Sequence, residues 1–236
     1  MKLPVHFKFL SAIVTTSLPV ESAAIPRARA HKTRNLRASA IIVTGLLSGA
    51  FGAGEAYAGA QTFTVSSPDL TSGTFDKKFT LNAFGCTGSN ISPAIQWSNL
   101  PAGTRSLALQ VEDKDAAAGT GFWHWTVYNI PASASGLPQG AGNSPSTLPA
   151  PAIGGANDFL DTGATGGNGN YGGPCPATGD KPHHYIFTLY ALAVDDVEAA
   201  SGIPKTGTAD LHSFILNKGL GDKVLGKAKF TASYGR

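Results

Sequence analysis

The chain has 236 residues, with 29 glycines, 15 prolines and only 14% charged residues. This length allows one large domain or two small ones, and the composition favours a turn-rich β architecture over a helical bundle. The formal charge of +3 depends on residues 1–58; the remainder holds 11 basic and 13 acidic residues, which argues against a nucleic-acid-binding surface.

Residues 31–60, "HKTRNLRASAIIVTGLLSGAFGAGEAYAGA", have the layout of a secretory signal peptide. A basic segment precedes an apolar run from about 38 to 51, and Ala-Tyr-Ala at 56–58 is a small-x-small cleavage site. The run is shorter than the roughly 20 residues of a membrane span, so an N-terminal anchor is the lesser alternative. We expect residues 1–58 to be a presequence, with an over-extended start, and residues 59–236 to be one periplasmic or secreted domain.

Three segments of the mature chain have the character of strands. Alternating leucine and valine side chains predict a strand over Ser106–Asp113. His124–Ile130 is rich in aromatic and β-branched residues. His184–Val194 is almost continuously apolar, which predicts a central strand buried on both faces.

The segments between and after these strands are of three kinds. The stretch Ser133–Gly179 is a long Gly/Pro/Asn-rich connection, and connections of this length in a compact domain are usually functional or disordered. A short helix is predicted over Ala209–Lys218, with Thr208 as its N-cap and Gly219 after its end. A final strand is predicted within the segment 227–236.

Cys86 and Cys175 are the two cysteines of the chain. In an exported protein they are candidates for one disulfide, with two buried free thiols as the alternative. Their spacing is not that of a CxxC zinc or redox site, and GxSxG, HExxH and Walker motifs are also absent from the sequence.

Six polar side chains lie at the ends of the predicted strands and could form a site. They are Asp113, Asp115, His124, His183, His184 and Tyr185. Imidazole and phenol groups could bind an anion, while the lack of a short-range ligand pair such as HxH argues against a metal. An acid–base pair is the third use, although no nucleophile is indicated. Each of these residues alone is best explained by a structural role. Because all six are expected at two neighbouring strand ends, together they favour a functional site.

Six motifs follow one another along the mature chain: "GCTGSNISPAIQW", "SLALQVEDKDA", "FWHWTVYNIP", "LPQGAG", "YGGPCPATGDKPHHYIFTLYAL" and "LGKAKFTASYGR". In this order they resemble the phosphatidylethanolamine-binding protein family, and most of all its bacterial Raf-kinase-inhibitor-like branch, the YbhB/YbcL group. The resemblance runs from about Phe63 to the end of the chain. It implies a mainly β, sandwich-like fold, in which a large antiparallel sheet packs on a smaller sheet, with a short helix near the C-terminus.

The resemblance also implies a small pocket for phosphate-like or carboxylate anions, such as the head group of phosphatidylethanolamine. Carried over by motif, its ligand-binding residues are Asp113, Asp115, His124, Gly173, Pro174, Pro176, His183 and Tyr185. By strand alternation we expect His184 to point to the other face, and Trp123 and Trp125 to lie on the face opposite His124.

The chain departs from the family's Asp-Pro-Asp-Ala-Pro motif, which here reads Asp113-Lys114-Asp115-Ala116-Ala117. Loss of both prolines predicts a more mobile pocket wall. We expect the added lysine to be a solvated loop charge; the alternative is that it folds inward and pairs with Asp113 or strengthens anion binding.

These observations predict an exported, non-enzymatic binding protein without cofactor or metal. His124, His183 and Tyr185 would hold an anion and Asp113 would orient the histidines. The expected partners are a small anion or phospholipid head group and, as further candidates, a protein target such as a kinase or protease, and a second copy in a homodimer. Nucleic acid and, after cleavage, a stable membrane span are not expected. The alternatives are a hydrolase or lyase that uses His124 and Asp113 as acid and base on a phosphorylated or carbonyl substrate, and a scaffold with a vestigial pocket.

Overall fold

The computed structural model describes residues 61–236, which fold into two antiparallel sheets and a few short helices. The strands of this part of the chain are β1 (Thr64–Ser66), β2 (Ile95–Ser98), β3 (Ser106–Asp113), β4 (Phe122–Pro131), β5 (Gly136–Leu137), β6 (Ile153–Gly154), β7 (His183–Leu192) and β8 (Val224–Tyr234). The larger sheet has the order β6-β4-β3-β7-β8, and the smaller has the order β1-β2-β5.

The helices of the described chain are short and lie mostly after β7. The two α-helices are α1 (Val197–Ser201) and α2 (Ala209–Phe214), and α2 continues as a π-helical turn over Ile215–Gly219. The 3-10 helices are Lys77–Phe79, Ala141–Asn143, Pro145–Thr147 and Gly221–Lys223. Thr208 caps α2, because its side chain accepts a hydrogen bond from the Leu211 amide. None of the helices among these residues is long and apolar enough to cross a membrane.

The main core lies between the two sheets. Its buried side chains come from both: Val65, Ile95, Leu107, Leu109, Val111, Leu137, Phe187 and Leu189. A second apolar cluster lies on the other face of the large sheet, where Tyr128 and Tyr190 pack with residues of α1 and of the segment after α2. β3 and β7 are therefore covered on both faces, which explains why the sequence of β7 is apolar almost without interruption.

The structure confirms the predicted fold class. The strand predicted over Ser106–Asp113 has the predicted bounds, and β4 and β7 begin one or two residues before the predicted His124–Ile130 and His184–Val194. The helix predicted over Ala209–Lys218 is present as α2 and its π-helical continuation. The presequence prediction for residues 1–58 lies outside the described residues.

Candidate functional site

Residues that pair across β4, β3 and β7 at one end of the large sheet position the side chains of the site. Asp113 is the last residue of β3, and it pairs with Phe122 of β4 on one side and Tyr185 of β7 on the other. His183 is the first residue of β7, on the same face as Tyr185. The register of three neighbouring strands thus brings together residues that are about 70 positions apart in the sequence.

A bulge in β4 positions His124. Consecutive residues of β3 pair with Trp125 and Trp123, so His124 has no partner in this ladder. Bulges of this kind redirect side chains and are common beside functional sites. The His124 ring lies 5.0 Å from the Tyr185 ring, on the site side of the sheet.

The same bulge corrects one expectation about the tryptophans. Strict alternation placed both on the face opposite His124. Trp123 is there, since its indole Nε1 donates to Asp210 of α2 at 3.0 Å. Trp125 instead packs in the core between the sheets together with Tyr185, whose ring contacts His124.

His183 is held by two carboxylates. Its Nδ1 donates to Asp113 Oδ2 at 2.7 Å, and its Nε2 lies 3.5 Å from Asp180 Oδ2. Burial alone would lower the pKa of His183, but the hydrogen bonds and negative charges of Asp113 and Asp180 outweigh it and raise the pKa. The imidazolium form is therefore favoured at this position.

His124 is in the opposite electrostatic state. Its Nδ1 donates to the Gly172 carbonyl at 2.8 Å, and the Gly172 amide donates back to the His124 carbonyl at 3.0 Å. Burial lowers the pKa of His124 to about 4, although the Gly172 carbonyl and the Asp113 charge act in the other direction. Neutral His124, protonated on Nδ1, presents the lone pair of Nε2 at 4.0 Å from Asp113 Oδ2.

This tautomer changes the role expected for His124. The sequence predicted that Asp113 would orient both histidines and that His124 would donate to an anion. Of the two histidines, only His183 hydrogen-bonds Asp113, and the backbone of Gly172 orients His124. At neutral pH the Nε2 atom is a hydrogen-bond acceptor.

Tyr185 lies under the site and is almost fully buried. Burial, followed by the negative charge of Asp113, raises the pKa of its phenol, so the hydroxyl stays protonated. The hydroxyl lies near Asp113 but has no hydrogen-bond partner of good geometry among the described residues. It remains a free buried donor next to the carboxylate.

Asp113, His124 and His183 line a cavity of about 380 Å³, and Tyr185 lies outside its lining. Asp113, His124, Asp180 and His183 supply its polar groups. Its other lining residues are mostly apolar: Leu81, Phe84, Ala116, Ala117, Phe122, Phe159, Pro176 and Ala177. The rings of Phe122 and Phe159 pack edge-on against His124, with centroids at 5.1 and 5.4 Å. The lining of the cavity is therefore mostly apolar and contains two aspartates and two histidines.

Two connections fix the loops that form one wall of this cavity. A disulfide joins Cys86 to Cys175, and Cys175 itself lines the cavity. The Arg236 guanidinium donates to the carbonyls of Pro176 at 2.6 Å and Gly85 at 3.0 Å, which bridges the same two loops. This wall is thus held by a covalent and a charged link.

Several residues implied by the family motifs lie outside the cavity lining. Asp115 accepts hydrogen bonds from the backbone and side chain of His184, both at 2.7 Å, on the exposed face expected for His184. The Gly173 amide donates to Asn90 Oδ1, and the Pro174 carbonyl accepts from Leu81. These two backbone groups support the wall and are not available to a ligand.

Lys114 also points away from the cavity. Its ammonium group pairs with Glu112 on the face of the sheet that carries α2, and its side chain is half exposed. It is the solvated loop charge that the sequence predicted; it pairs with Glu112 rather than Asp113 and does not line the cavity.

Among the cavity residues that sequence reasoning missed are Asp180, Phe122 and Phe159. Phe122 was detectable, since it lies two residues before His124 on the same strand. Asp180 and Phe159 lie in or next to the long Gly/Pro/Asn-rich connection, whose lack of periodicity gives no orientation. Among residues 61–236 no group of three His, Cys, Asp or Glu side chains could hold a metal ion.

Comparisons with known proteins agree with this architecture. A family model described as "Phosphatidylethanolamine-binding protein" matches residues 71–234. The chain is 43% identical to YbcL of Escherichia coli over 144 residues, which are 60% of this chain and 75% of YbcL. It is 38% identical to E. coli YbhB over 135 residues, 56% of this chain and 80% of YbhB. Both are described as UPF0098 proteins, a description that names no catalytic activity.

Two further similarities bear on fold and location. The crystal structure of E. coli YbcL, described as a member of the mammalian PEBP family, has a TM-score of 0.63 and 37% identity, covering 74% of this chain and 98% of that one. A Mycobacterium tuberculosis protein described as a candidate lipoprotein, LppC, is 40% identical over 111 residues, 47% of this chain and 48% of LppC.

Proposed function

Because the chain belongs to the phosphatidylethanolamine-binding protein family, we propose that it is an exported binding protein for small molecules that carry a phosphate or carboxylate group. Phosphoethanolamine-like head groups are the model ligands. The proposal takes the cavity around Asp113, His124 and His183 as the binding site.

The observation that carries this proposal is the position of His183 between the carboxylates of Asp113 and Asp180. Its pKa is raised by Asp113 and Asp180, and its Nε2 borders the cavity at only 3.5 Å from the half-exposed Asp180 carboxylate. An incoming anion can take the place of Asp180 at Nε2, while Asp113 keeps the ring oriented through Nδ1. Because the cavity is small, we expect weak affinity for a free anion.

Export and a binding rather than catalytic role are part of the same proposal. The signal-peptide layout of residues 31–60 and the similarity to a candidate lipoprotein support export. The described lining of the cavity contains no serine, threonine or free cysteine, so a binding role is favoured over covalent catalysis by a hydroxyl or a thiol. As a physiological role we propose inhibition of a protein partner through the cavity rim.

Calorimetric titration with acetate tests the anion site directly. Acetate keeps its charge between pH 6 and 9, so any pH dependence in this range comes from the protein. We expect affinity to fall as the pH rises from 6 to 9, because the His183 imidazolium loses its proton as the pH passes its raised pKa. His183→Gln should weaken acetate binding at pH 6 at least about tenfold, the effect of one charge-assisted hydrogen bond, and should remove the pH dependence.

His184→Gln is the matched control, since this neighbouring histidine is exposed on the other face of β7. It should bind acetate as the wild type does. Equal acetate affinity in wild type and His183→Gln, or no binding of acetate and phosphoethanolamine at any pH, contradicts the proposal.

A further inference from the structure

A second polar cavity lies on the face of the large sheet that carries α2, opposite the candidate functional site. Its volume is about 160 Å³, which is room for several water molecules or one tetrahedral oxyanion. Gln110 of β3, Thr188 of β7 and Lys229 of β8 lie side by side in its lining, in the register of the sheet. Ser213 of α2 and Asn217 of the π-helical turn form its helical wall.

The charged side chains of this lining leave an excess of positive charge. They are Lys114, Lys227, Lys229 and Glu112, so three ammonium groups and one carboxylate give a net charge of +2. Glu112 is already paired with Lys114. Among residues 61–236, neither Lys227 nor Lys229 has a carboxylate within 4.0 Å. The cavity therefore attracts anions.

The ammonium group of Lys227 is held in place by its neighbours. It donates to Asn217 Oδ1 and lies 5.0 Å from the centroid of the Tyr190 ring. Asn217 is fixed in turn, because its amide nitrogen donates to the Ser213 carbonyl at 2.7 Å and to the Tyr190 hydroxyl at 3.1 Å. Asn217 belongs to the π-helical turn, and such turns are frequent at functional sites. This cation is thus positioned at the cavity before any ligand binds.

The two unpaired lysines destabilise each other's charge. Lys227 and Lys229 lie two residues apart on the same exposed face of β8. Burial, followed by the positive charge of Lys229, lowers the pKa of Lys227. Lysines on an edge strand also prevent pairing with other sheets, but that role requires neither a fixed ammonium group nor a cavity beside it. An anion between the two ammonium groups would offset their repulsion.

We propose that this cavity is a second anion site, which binds one doubly charged tetrahedral oxyanion, such as inorganic phosphate or the phosphate of a monoester, between Lys227 and Lys229. The hydroxyl groups of Thr188 and Ser213 in the lining are further donors. The site lies on the other face of the sheet from His183, so the proposal is independent of the proposed function.

Sulfate titrations followed by NMR test the site. Sulfate is doubly charged at neutral pH, and ¹⁵N-labelled His183→Gln protein lacks the imidazolium of the other anion site. At constant ionic strength, with sodium chloride as the reference salt, we expect saturable shifts of the amide signals in the π-helical turn and in β8 around Lys227. Sodium phosphate should shift the same signals. Wild-type protein should show this group of shifts as well, so the result does not depend on the folding of the variant.

Variants at Lys227 assign the binding to the cavity. Lys227→Gln should weaken sulfate binding at least about tenfold, the effect of one charge-assisted hydrogen bond, and should leave acetate binding at His183 unchanged. Lys227→Arg keeps the charge and should retain most of the affinity. Lys223→Gln is the matched control, since this exposed lysine lies outside the lining, and it should bind sulfate as its parent does.

Two results would overturn the proposal. One is that sulfate and phosphate shift these signals no more than chloride does. The other is that Lys227→Gln binds sulfate as tightly as its parent. Sedimentation with phosphatidylglycerol vesicles distinguishes a lipid surface from a free anion. Vesicle binding that requires Lys227, without binding of either free anion, would make this face a membrane contact and refute the anion site.

Discussion

At the scale of single residues, the histidines show that local environment decides chemical role. His183, between two carboxylates, is favoured as a cation, whereas His124 is buried against a backbone carbonyl and stays neutral. His184, next to His183 in the sequence, is exposed and bonds Asp115. His212 is fully buried and stacks on the Tyr128 ring at 4.5 Å. The same side chain therefore serves as cation, acceptor, surface partner and core residue within one small domain.

The lowered pKa of His124 predicts a specific dependence of stability on pH. Above pH 6.5 the histidine is neutral in both the folded and unfolded states. Between pH 6.5 and about 4 only the unfolded state binds the proton, so the free energy of unfolding falls as the pH falls, and below about 4 the loss is complete. Denaturant unfolding at pH 7.5 and pH 5.0 should show a loss in wild type that exceeds the loss in His124→Gln by about 2 kcal/mol.

The exposed His184 provides the matched variant for that experiment. His184→Gln removes one histidine but leaves the buried His124 in place, so it should not reproduce the smaller loss of His124→Gln. An equal loss in wild type and His124→Gln would mean that His124 titrates in the folded protein much as it does in the unfolded chain.

The sequence could predict the cluster of site residues but not their partners. Asp113, His124 and His183 were proposed from strand ends and family motifs, and the structure places all three at one cavity. The partner of His124 is the backbone of Gly172, 48 residues away, and a backbone carbonyl leaves no trace in side-chain patterns. Asp115 was expected to bind the ligand with Asp113; its amide donates to Asp113 Oδ1, but its carboxylate bonds His184 outside the cavity lining.

At the scale of elements, regular strands were predictable because their period is a local property. β3, β4 and β7 carry alternating or continuous apolar side chains, and their predicted bounds differ by at most two residues from those observed. The segment 133–179 was predicted only as a long connection. It contains the two-residue strands β5 and β6 and supplies Phe159 to the cavity, and its path is set by long-range contacts that no local pattern reports.

Gly172 offers a test of how this connection supports the cavity. A Cβ at this position would lie 2.0 Å from the ring of Phe159, which lines the cavity. Gly172→Ala should therefore displace that ring and lower the free energy of unfolding by about 1–3 kcal/mol, the usual cost of overpacking. It should also weaken binding of phosphoethanolamine, because the aromatic wall is disturbed.

A double-mutant cycle isolates the contact. In a Phe159→Ala background the added methyl group has room, so Gly172→Ala should cost clearly less stability there than in wild type. The same cost in both backgrounds would assign the effect to the backbone of Gly172 and not to the ring.

At the scale of the whole molecule, the cavity depends on the assembly of distant segments. The large sheet supplies Asp113, His124 and His183 to the cavity, and loops before β2 and before β7 supply one wall. The Cys86–Cys175 disulfide spans 89 residues and joins these loops, with Arg236 as a second link. The loss of two family prolines from the loop after β3 was expected to make the pocket wall mobile; the disulfide and Arg236 restrain the other two loops that line the cavity.

Removal of the disulfide should affect both stability and binding. For a loop of this length the usual cost is about 2–5 kcal/mol, since the unfolded chain regains freedom. The double variant Cys86→Ser/Cys175→Ser should unfold at correspondingly lower denaturant concentration and bind phosphoethanolamine more weakly. Oxidised wild type treated with a reductant should behave like the variant, and the variant itself should not respond to the reductant. Unchanged affinity in the variant would show that Arg236 alone holds the wall.

The bulge in β4 makes the candidate site depend on residue count as well as on residue type. His124 occupies a position that the β3 ladder skips. A strand repeats every two residues, so removal of one residue between Phe122 and Trp125 would shift the phase of the strand end and leave its composition almost intact. A homologue with similar residues but one fewer in this segment would then keep the sheet and lose the position of His124 in the cavity. Gaps in an alignment of β4 are therefore as informative about ligand binding as substitutions.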